Sequence, residues 1–429
     1  MDAEDPAMRA ERSQRRILLL DCDAFFVQVA RLENPDEAGR ARLLLVGGSA
    51  SGRGVVTSAS YEARTYGVHS AMPMAEALRL CPDALVVPVP RRACSERSRA
   101  IREVLGSLAP VVQAASIDEF YLDLSGTERL LRDESLGDTA RRIRQRVLDE
   151  TEISVSIGAG TGRLVAKLAA GRAKPAGVHV VPGGKEADFL SSFALSQIPG
   201  VGPALLEALH DRGLNSVQDL VGVEEAWLRR WFGEARGRWL WERSRGIDPS
   251  PVVAEEERKS ISSERTFHRD LSDPELLERH LLQLVISVGE SLRGKGLSAR
   301  TITVKIRDSD FRTRQSSQTI DPAFESDRLL FERAREMVRT LRERRPRPTR
   351  LIGVGVSNFQ STGGARQLSM LDEHPAEESD RDRTLSRLGD ELRARFGREA
   401  LLPGRIIPDP STDRGIGSGP GTKDEHGES

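Results

Sequence analysis

The chain is poor in several residues that mark particular protein classes. Of 429 residues only three are cysteine, at positions 22, 81 and 94. That odd count has no metal-ligand spacing, so it excludes a disulfide scaffold and a zinc site, and it predicts a reducing compartment, the cytoplasm. Aromatic residues are only 4% of the chain, so two in a row call for a reason. No run reaches the roughly 18 apolar residues that a membrane-crossing helix needs. The opening MDAEDPAMRAERSQRR lacks the apolar core of a secretory signal, and residues 1–15 read as a disordered leader. Excess charge is lacking too, since 64 Lys and Arg face 65 Asp and Glu. A uniformly basic nucleic-acid binder is excluded.

What remains is a polar, globular composition, 38% hydrophobic and 30% charged. Its length suits about two to four domains. Charge is segregated along the chain. Residues 258–358 hold 21 Lys and Arg against 14 Asp and Glu, whereas 1–257 hold 33 against 37 and 359–429 hold 10 against 14. Most cations of the basic module are arginines, whose planar fork suits phosphate oxygens. On charge alone, a merely arginine-rich surface is an equal reading.

The apolar pattern predicts a buried strand at Ile17–Leu20 and short strands at Leu43–Val46 and Gly54–Ser58. Helices follow at SAMPMAEALRLC, after a turn, and at Ser95–Leu108. Strands at Val111–Ile117 and Glu119–Leu124 flank Asp118, and a helix covers Asp138–Leu148. Ile153, Val155 and Ile157 alternate with serines, which predicts a half-buried strand. Glycines 158, 160 and 162 match neither a dinucleotide fingerprint nor a P-loop, and read as a turn before a helix at 163–170. This order is the split βαβ, ferredoxin-like arrangement with an insertion after its first strand. Short helices run from Pro182 to about Gly246, then a charged linker. Residues 259–358 repeat the strand–helix–strand–strand–helix–strand order, sharing an architecture with the first pattern and no evident sequence. Residues 381–396 read as an amphipathic helix, and 403–429 as a disordered tail.

The chemistry concentrates in acids. Asp21 and Asp23 end the apolar strand, and Asp118 and Glu119 interrupt SIDEFYLDL. Any one alone reads as a strand-end cap or ion-pair partner. In a split βαβ sheet the first strand and the hairpin are neighbours, which brings Asp21, Asp118 and Glu119 together. Clustered carboxylates repel and call for cations, and hard oxygen donors suit Mg²⁺. Two such ions can bridge the attacking and leaving oxygens of a phosphoryl transfer. Tyr61, Arg64 and Lys174 can neutralise a triphosphate, though each singly reads as a surface residue. Phe25 and Phe26 read as core, or one ring reads as the floor beneath a sugar, where it would clash with a 2′-hydroxyl. Ile198-Pro-Gly-Val-Gly-Pro, opening a helix, has the form of a helix–hairpin–helix, in which Gly200 and Gly202 let backbone N–H groups approach a DNA phosphate.

Taken together, LLLDCDAFF, SASYEARTYGVHSAMP, SIDEFYLDL, GRAKPAG and IPGVG occur in the order and spacing of a known family. The chain resembles the Y-family translesion DNA polymerases, most of all the bacterial DNA polymerase IV (DinB) branch, over about residues 16–360. The resemblance implies an α+β multidomain fold. A ferredoxin-like palm (16–26 and 93–181) would carry inserted fingers (27–92). A helical thumb with the helix–hairpin–helix (182–248) and a linker (249–258) would lead to a βαββαβ little finger (259–358). A clamp-binding peptide and helical extension (359–402) would follow.

The resemblance also implies roles. Asp21 and Asp118 bind two Mg²⁺ ions, the Cys22 carbonyl completes one site, and Glu119 binds the ion that activates the primer 3′-hydroxyl. Phe26 is the steric gate against ribonucleotides, with Phe25 beside it. Ser58, Tyr61, Arg64 and Lys174 hold the incoming dNTP. Asp23 belongs to the motif without a metal assignment. The implied activity is low-fidelity, template-directed transfer from a dNTP to a primer on template DNA, without a proofreading nuclease. The protein would act as a cytoplasmic, nucleoid-associated monomer. Gln367, Leu368, Met370 and Leu371 resemble the peptide that docks on a sliding clamp, with Leu371 where an aromatic is usual. Ser60 stands where relatives usually carry Asn, and a lysine that often follows the thumb glycines is missing. Two other readings remain. A non-catalytic DNA- and clamp-binding scaffold would lose the acidic positions, which are intact. A nucleotide cyclase would lack the helix–hairpin–helix and the basic module.

Overall fold

Four consecutive inaccessible side chains, Ile17 to Leu20, make a strand that needs cover on both faces. The computed structural model describes residues 15–130, 134–254, 258–361, 378–397, 401 and 404. The clamp-like peptide 367–371, most of the leader and nearly all of the tail lie outside the described residues. The chain divides after residue 256 into two units.

In the first unit β1 (Ile17–Cys22) leads into α1 (Phe25–Glu33) and then the insertion. There β2 (Leu44–Gly47), β3 (Val56–Ala59) and β4 (Leu85–Val87) form a separate sheet, ordered β3-β2-β4, with α2 (Tyr61–Arg64) and α3 (Met74–Leu80) between β3 and β4 in sequence. The chain returns through α4 (Arg91–Gly106), β5 (Val111–Ala114), β6 (Glu119–Asp123), α5 (Leu136–Thr151), β7 (Val155–Gly160), α6 (Arg163–Ala173) and β8 (Val178–Val180). The main sheet runs β5-β6-β1-β7-β8. The predicted ferredoxin-like order is present, with β1 antiparallel to both β6 and β7. Only β6 of the hairpin adjoins β1, and β5 lies at the edge. The strand predicted to reach Ile117 stops at Ala114, because the amides of Ala115 and Ser116 turn back onto the carbonyl of Glu119. One face is covered by α4 and α5, whose Ile101, Leu105, Ile143 and Val147 meet Leu18, Leu20 and Leu122. On the other face Ala166 and Ala170 of α6 meet Ile17, Leu19 and Tyr121.

The segment 153–162 departs from its sequence pattern. Every residue of β7 is buried, Ser156 included, so the strand is not half-buried. Gly158 and Gly160 lie inside β7 rather than in a turn, and only Gly162 precedes α6 as its cap. Close approach is the reason. A Cβ on Gly158 would stand 2.0 Å from the Ala170 nitrogen and 2.1 Å from the Ala166 oxygen. Helix backbone rests directly on strand backbone there.

Short helices follow, as the sequence predicts: α7 (Glu186–Leu190), a 3₁₀ turn at Leu195–Gln197, α8 (Pro203–His210), α9 (Val217–Gly222), α10 (Glu225–Phe232) and α11 (Glu234–Ser244). They enclose Leu195, Ile198, Leu209, Leu228 and Leu240.

The second unit contains β9 (Ser260–Leu271), α12 (Pro274–Arg293), β10 (Leu297–Asp308), β11 (Thr313–Phe324), α13 (Asp327–Glu343) and β12 (Thr349–Ser361). Its element order matches the first pattern, but its sheet runs β11-β10-β12-β9. The first strand is at the edge here and central in the other sheet, so the two patterns do not share a topology. The last strand carries the buried run LIGVGV, and it takes the place between two neighbours. Leu281, Val285, Leu330 and Val338 of α12 and α13 cover Ile302, Val304 and Val354. Side chains of the alternate set on β10 are polar, with hydroxyl pairs Thr301–Thr319 at 3.0 Å and Thr303–Ser317 at 2.9 Å, followed by Lys305 and Arg307.

The predicted amphipathic helix is α14 (Asp380–Phe396), and it docks the other way round. Its buried residues are Ser386, Gly389 and Arg393, while Leu385, Leu388, Leu392 and Phe396 are exposed. Charge holds it in place. Arg293, almost fully buried, reaches Asp390 at 2.6 Å and Asp327 at 2.8 Å. Just before the helix, buried Glu378 accepts from the Glu325 amide at 2.9 Å.

The contact at Gly158 yields a stability test. Gly158→Leu forces α6 off β7 and costs about 3 kcal/mol or more, the upper part of the range for overpacking. Urea unfolding monitored by circular dichroism reads that loss directly. A midpoint equal to wild type would show that the helix can retreat freely.

Candidate active site

Register builds the site. Asp21 lies opposite Glu119 across β1 and β6, and opposite Ser156 across β1 and β7. The Cys22 amide donates to the carbonyl of Asp118 at 3.0 Å. The three acids that the sequence groups together are therefore neighbours at one end of the sheet. Two of them are held by lysines. Lys174 Nζ donates to Asp21 Oδ1 at 2.6 Å. Lys167 Nζ donates to both oxygens of Glu119, at 2.6 and 2.8 Å. Asp118 accepts from the Ser116 hydroxyl at 2.6 Å.

Burial pushes the Asp21 carboxyl above the usual carboxylate range, against the pull of Lys174; Glu119 and Asp118 add to the rise. Lys167 rises above its ordinary value because Glu119 outweighs the cost of its burial. Burial likewise holds the Cys22 thiol well up, so that side chain stays protonated in the core. Only the main-chain oxygen of Cys22 remains as a candidate ligand.

Asp23 has a different task. It is 4% exposed and accepts from Ser156 Oγ at 2.7 Å, Ser154 Oγ at 2.9 Å, the Ala176 amide at 2.9 Å and the Tyr61 hydroxyl at 3.2 Å. Its oxygens are spent on neutral donors. This ties β1 to β7, to α2 and to the turn after α6. Burial first, and then Asp23, raise the Tyr61 phenol far above its ordinary value. Between Asp23 and Phe25 the chain turns from strand to helix through Ala24, which is left-handed at φ 43°.

The two phenylalanines separate. Phe25 is 1% exposed, packed in the core with Leu18 and Leu20. It meets the half-buried Phe26 ring edge-on at 5.5 Å. Phe26 and Tyr61 pack on one apolar cluster with Val27 and Leu44. The Arg64 guanidinium lies over the Tyr61 ring at 5.0 Å and its Nε donates to the Ala59 carbonyl at 3.0 Å. Ser60 caps α2, accepting from the Ala63 amide, which accounts for a short side chain there. Ser58 is almost wholly buried on β3. Gly200 has φ +99°, and a Cβ on it would meet the Trp239 ring at 2.6 Å. Gly202 caps α8 at its N-terminus, with open space around its Cβ position.

Sequence reasoning missed Lys167 and the serines 116, 154 and 156. Lys167 had a signal: it is the only charge in the run LVAKLAA. The serines had none, since a hydroxyl becomes a specific donor only when register brings it to an acid.

Among the described residues no three His, Cys, Asp or Glu side chains converge as a ready metal cage. The donor set nevertheless suits a divalent cation. Three carboxylates share one sheet end, the half-buried Asp21 is raised by burial with Glu119 and Asp118 adding to the rise, and ammonium groups already supply positive charge there.

Known proteins share this arrangement of sequence and fold. Residues 20–171 match the impB/mucB/samB family, 258–370 match the C-terminal domain of that family, and 196–248 match the DNA polymerase-iota thumb domain. The chain is 38% identical over 350 residues to DNA polymerase IV of Staphylococcus aureus strain JH9, covering 82% of this chain and 97% of that protein. The strain Newman protein matches equally. Among solved structures, the Y-family DNA polymerase chimera Dbh-Dpo4(243-245)-Dbh superposes with a TM-score of 0.71 at 26% identity, over 80% of this chain and 98% of that one. DinB from Sulfolobus solfataricus gives 0.53 at 26% identity, with the same coverage of both chains.

Asp21 yields a pH test. Its carboxyl is raised in the folded state, so folding favours the protonated form, and ionisation costs stability as pH rises above the unfolded value near 3.8. Asp21→Asn therefore raises the melting temperature at pH 7, and the gain fades toward pH 4. Parallel melts of wild type and variant between pH 4 and 7 measure it. A variant less stable than wild type at pH 7 would contradict the balance of burial against Lys174.

Proposed function

The chain belongs to the Y-family DNA polymerases of the impB/mucB/samB family, and from that membership and its site we propose how it works. It is a DNA-directed DNA polymerase of the translesion type. Its substrates are primer-template DNA and dNTPs, and its chemistry is nucleotidyl transfer to the primer 3′-hydroxyl. The observation that carries this reading is the register of Asp21 against Glu119, with Asp118 adjacent, at the end of a buried strand.

Two Mg²⁺ ions, bound by Asp21, Asp118, Glu119 and the Cys22 carbonyl, would supply the charge that activates the 3′-oxygen and steadies the leaving pyrophosphate. The chain's own residues do the rest. Lys174, after α6, and Arg64, on α2, bring positive charge to the triphosphate. Tyr61, anchored through Asp23, presents its ring and hydroxyl beside them. Phe26, backed edge-on by Phe25, forms a wall against the sugar 2′ position. Gly202 at the start of α8 leaves backbone amides open to a DNA phosphate. The second unit offers DNA the polar sheet side with Lys305 and Arg307. Gln367, Leu368, Met370 and Leu371 serve as the sliding-clamp peptide on the strength of their pattern alone. No helix among the described residues is long and apolar enough to cross a membrane. An inert scaffold is not favoured, since all three acids are in place.

Primer extension on a primed template, with Mg²⁺ and each dNTP, tests the reading. Wild type adds nucleotides, and Asp118→Ala falls by about a thousandfold or more, since a lost metal ligand removes several kcal/mol of transition-state stabilisation. A wild type that binds primed DNA and adds nothing would defeat it. A second test addresses the sugar. Phe26→Ala incorporates ribonucleotides that wild type rejects, read on the same template with ATP in place of dATP. Unchanged rejection would remove Phe26 from that role.

A further inference from the structure

Two ammonium groups hold two of the three carboxylates, and they do so differently. Lys167 takes both oxygens of Glu119, at 2.6 and 2.8 Å, from the middle of α6. Lys174 takes one oxygen of Asp21, at 2.6 Å, from just past the end of that helix. Asp118 has no ion-pair partner among the described residues, and its bond is to a neutral hydroxyl.

Lys167 starts from a closely packed backbone. It sits between Ala166 and Ala170, whose main-chain atoms press on Gly158. Only its flexible stem can withdraw the ammonium from Glu119. The pair is partly exposed, 38% for the Lys167 side chain and 23% for Glu119, so it opens toward solvent rather than into the core. Such an exposed pair contributes little to stability. Yet it engages both oxygens of a carboxylate that the polymerase reading needs for a metal ion.

We infer that Lys167 is a positioning residue that stands in for a cation at Glu119: it holds the carboxylate in register while no divalent ion is bound, and it competes with the ion for the same two oxygens. Asp118, held only by a neutral hydroxyl, and Asp21, held by one oxygen, accept a divalent ion first. Glu119 joins last, when the Lys167 ammonium swings aside. The lysine thus delays completion of the second metal site. This inference rests on the metal assignment under the proposed function. It goes beyond that assignment in giving a non-ligand lysine control over the order of filling.

The test is Mn²⁺ binding to the full chain without DNA or nucleotide, followed by electron paramagnetic resonance of the free ion. Lys167→Met keeps the stem and removes the charge. It is expected to bind Mn²⁺ roughly tenfold tighter than wild type, the scale on which an adjacent opposite charge alters a carboxylate. Lys167→Arg keeps the charge and is expected to match wild type, which separates competition from a folding defect. In a Glu119→Gln background, Lys167→Met is expected to gain nothing. Equal or weaker affinity for Lys167→Met overturns the inference, and so does a gain that persists without Glu119. Primer extension by wild type is scored separately. Loss of the inference with extension intact leaves the polymerase reading standing, and absent extension strikes that reading itself.

Discussion

The backbone of α6 lies directly on the backbone of β7, and the site depends on that contact. Glycine at 158 removes a side-chain atom that would force them apart. Alanines 166 and 170 face the sheet from the helix side. With the helix this close, Lys167 from its middle and Lys174 from just past its end arrive beside Glu119 and Asp21. A helix standing one side chain further out would leave those carboxylates crowded at a strand end without compensation. Packing therefore comes first, and the electrostatics of the site follows from it.

Two aspartates separated by a single residue have opposite lives. Asp21 faces cations, partly exposed, with its proton affinity raised by burial and by its acidic neighbours. Asp23 is buried and satisfied by two serine hydroxyls, an amide and a phenol. One is held ready for exchange, while the other is committed to the fold. Asp23 also anchors Tyr61, so the insertion that carries Tyr61 and Arg64 is tied to the sheet that carries the acids. Removing charge from water is costly unless it is paired, and each aspartate meets that demand with a different kind of partner.

In the second unit, charge does structural work as well. Asp308 is fully buried and is held by Arg314 at 2.8 Å and Arg345 at 2.6 Å. Arg293 joins α12 to α13 and α14 through two aspartates. Many arginines that make this segment basic are thus matched by acids within the fold. The helix α14 is bound through its polar side, an outcome that the usual rule of apolar inside would not suggest.

Much of this was legible in the residues. The buried strand 17–20, the interrupted hairpin at 118–119 and the order of elements follow from the spacing of apolar side chains, because burial requires that spacing whatever lies opposite. The motifs from LLLDCDAFF to IPGVG disclosed the family, and with it Asp21, Asp118, Glu119, Phe26, Tyr61, Arg64 and Lys174 as site candidates. Tertiary structure decided what depends on an opposing partner. It put Phe25 in the core and moved two glycines from a turn into β7. It gave the two βαββαβ patterns different strand orders and turned α14 over. It also brought Lys167 to Glu119 and three serines to the acids beside them. A periodic pattern records which side of an element is buried, but not which neighbour covers it, and an ion pair exists only once two distant segments meet.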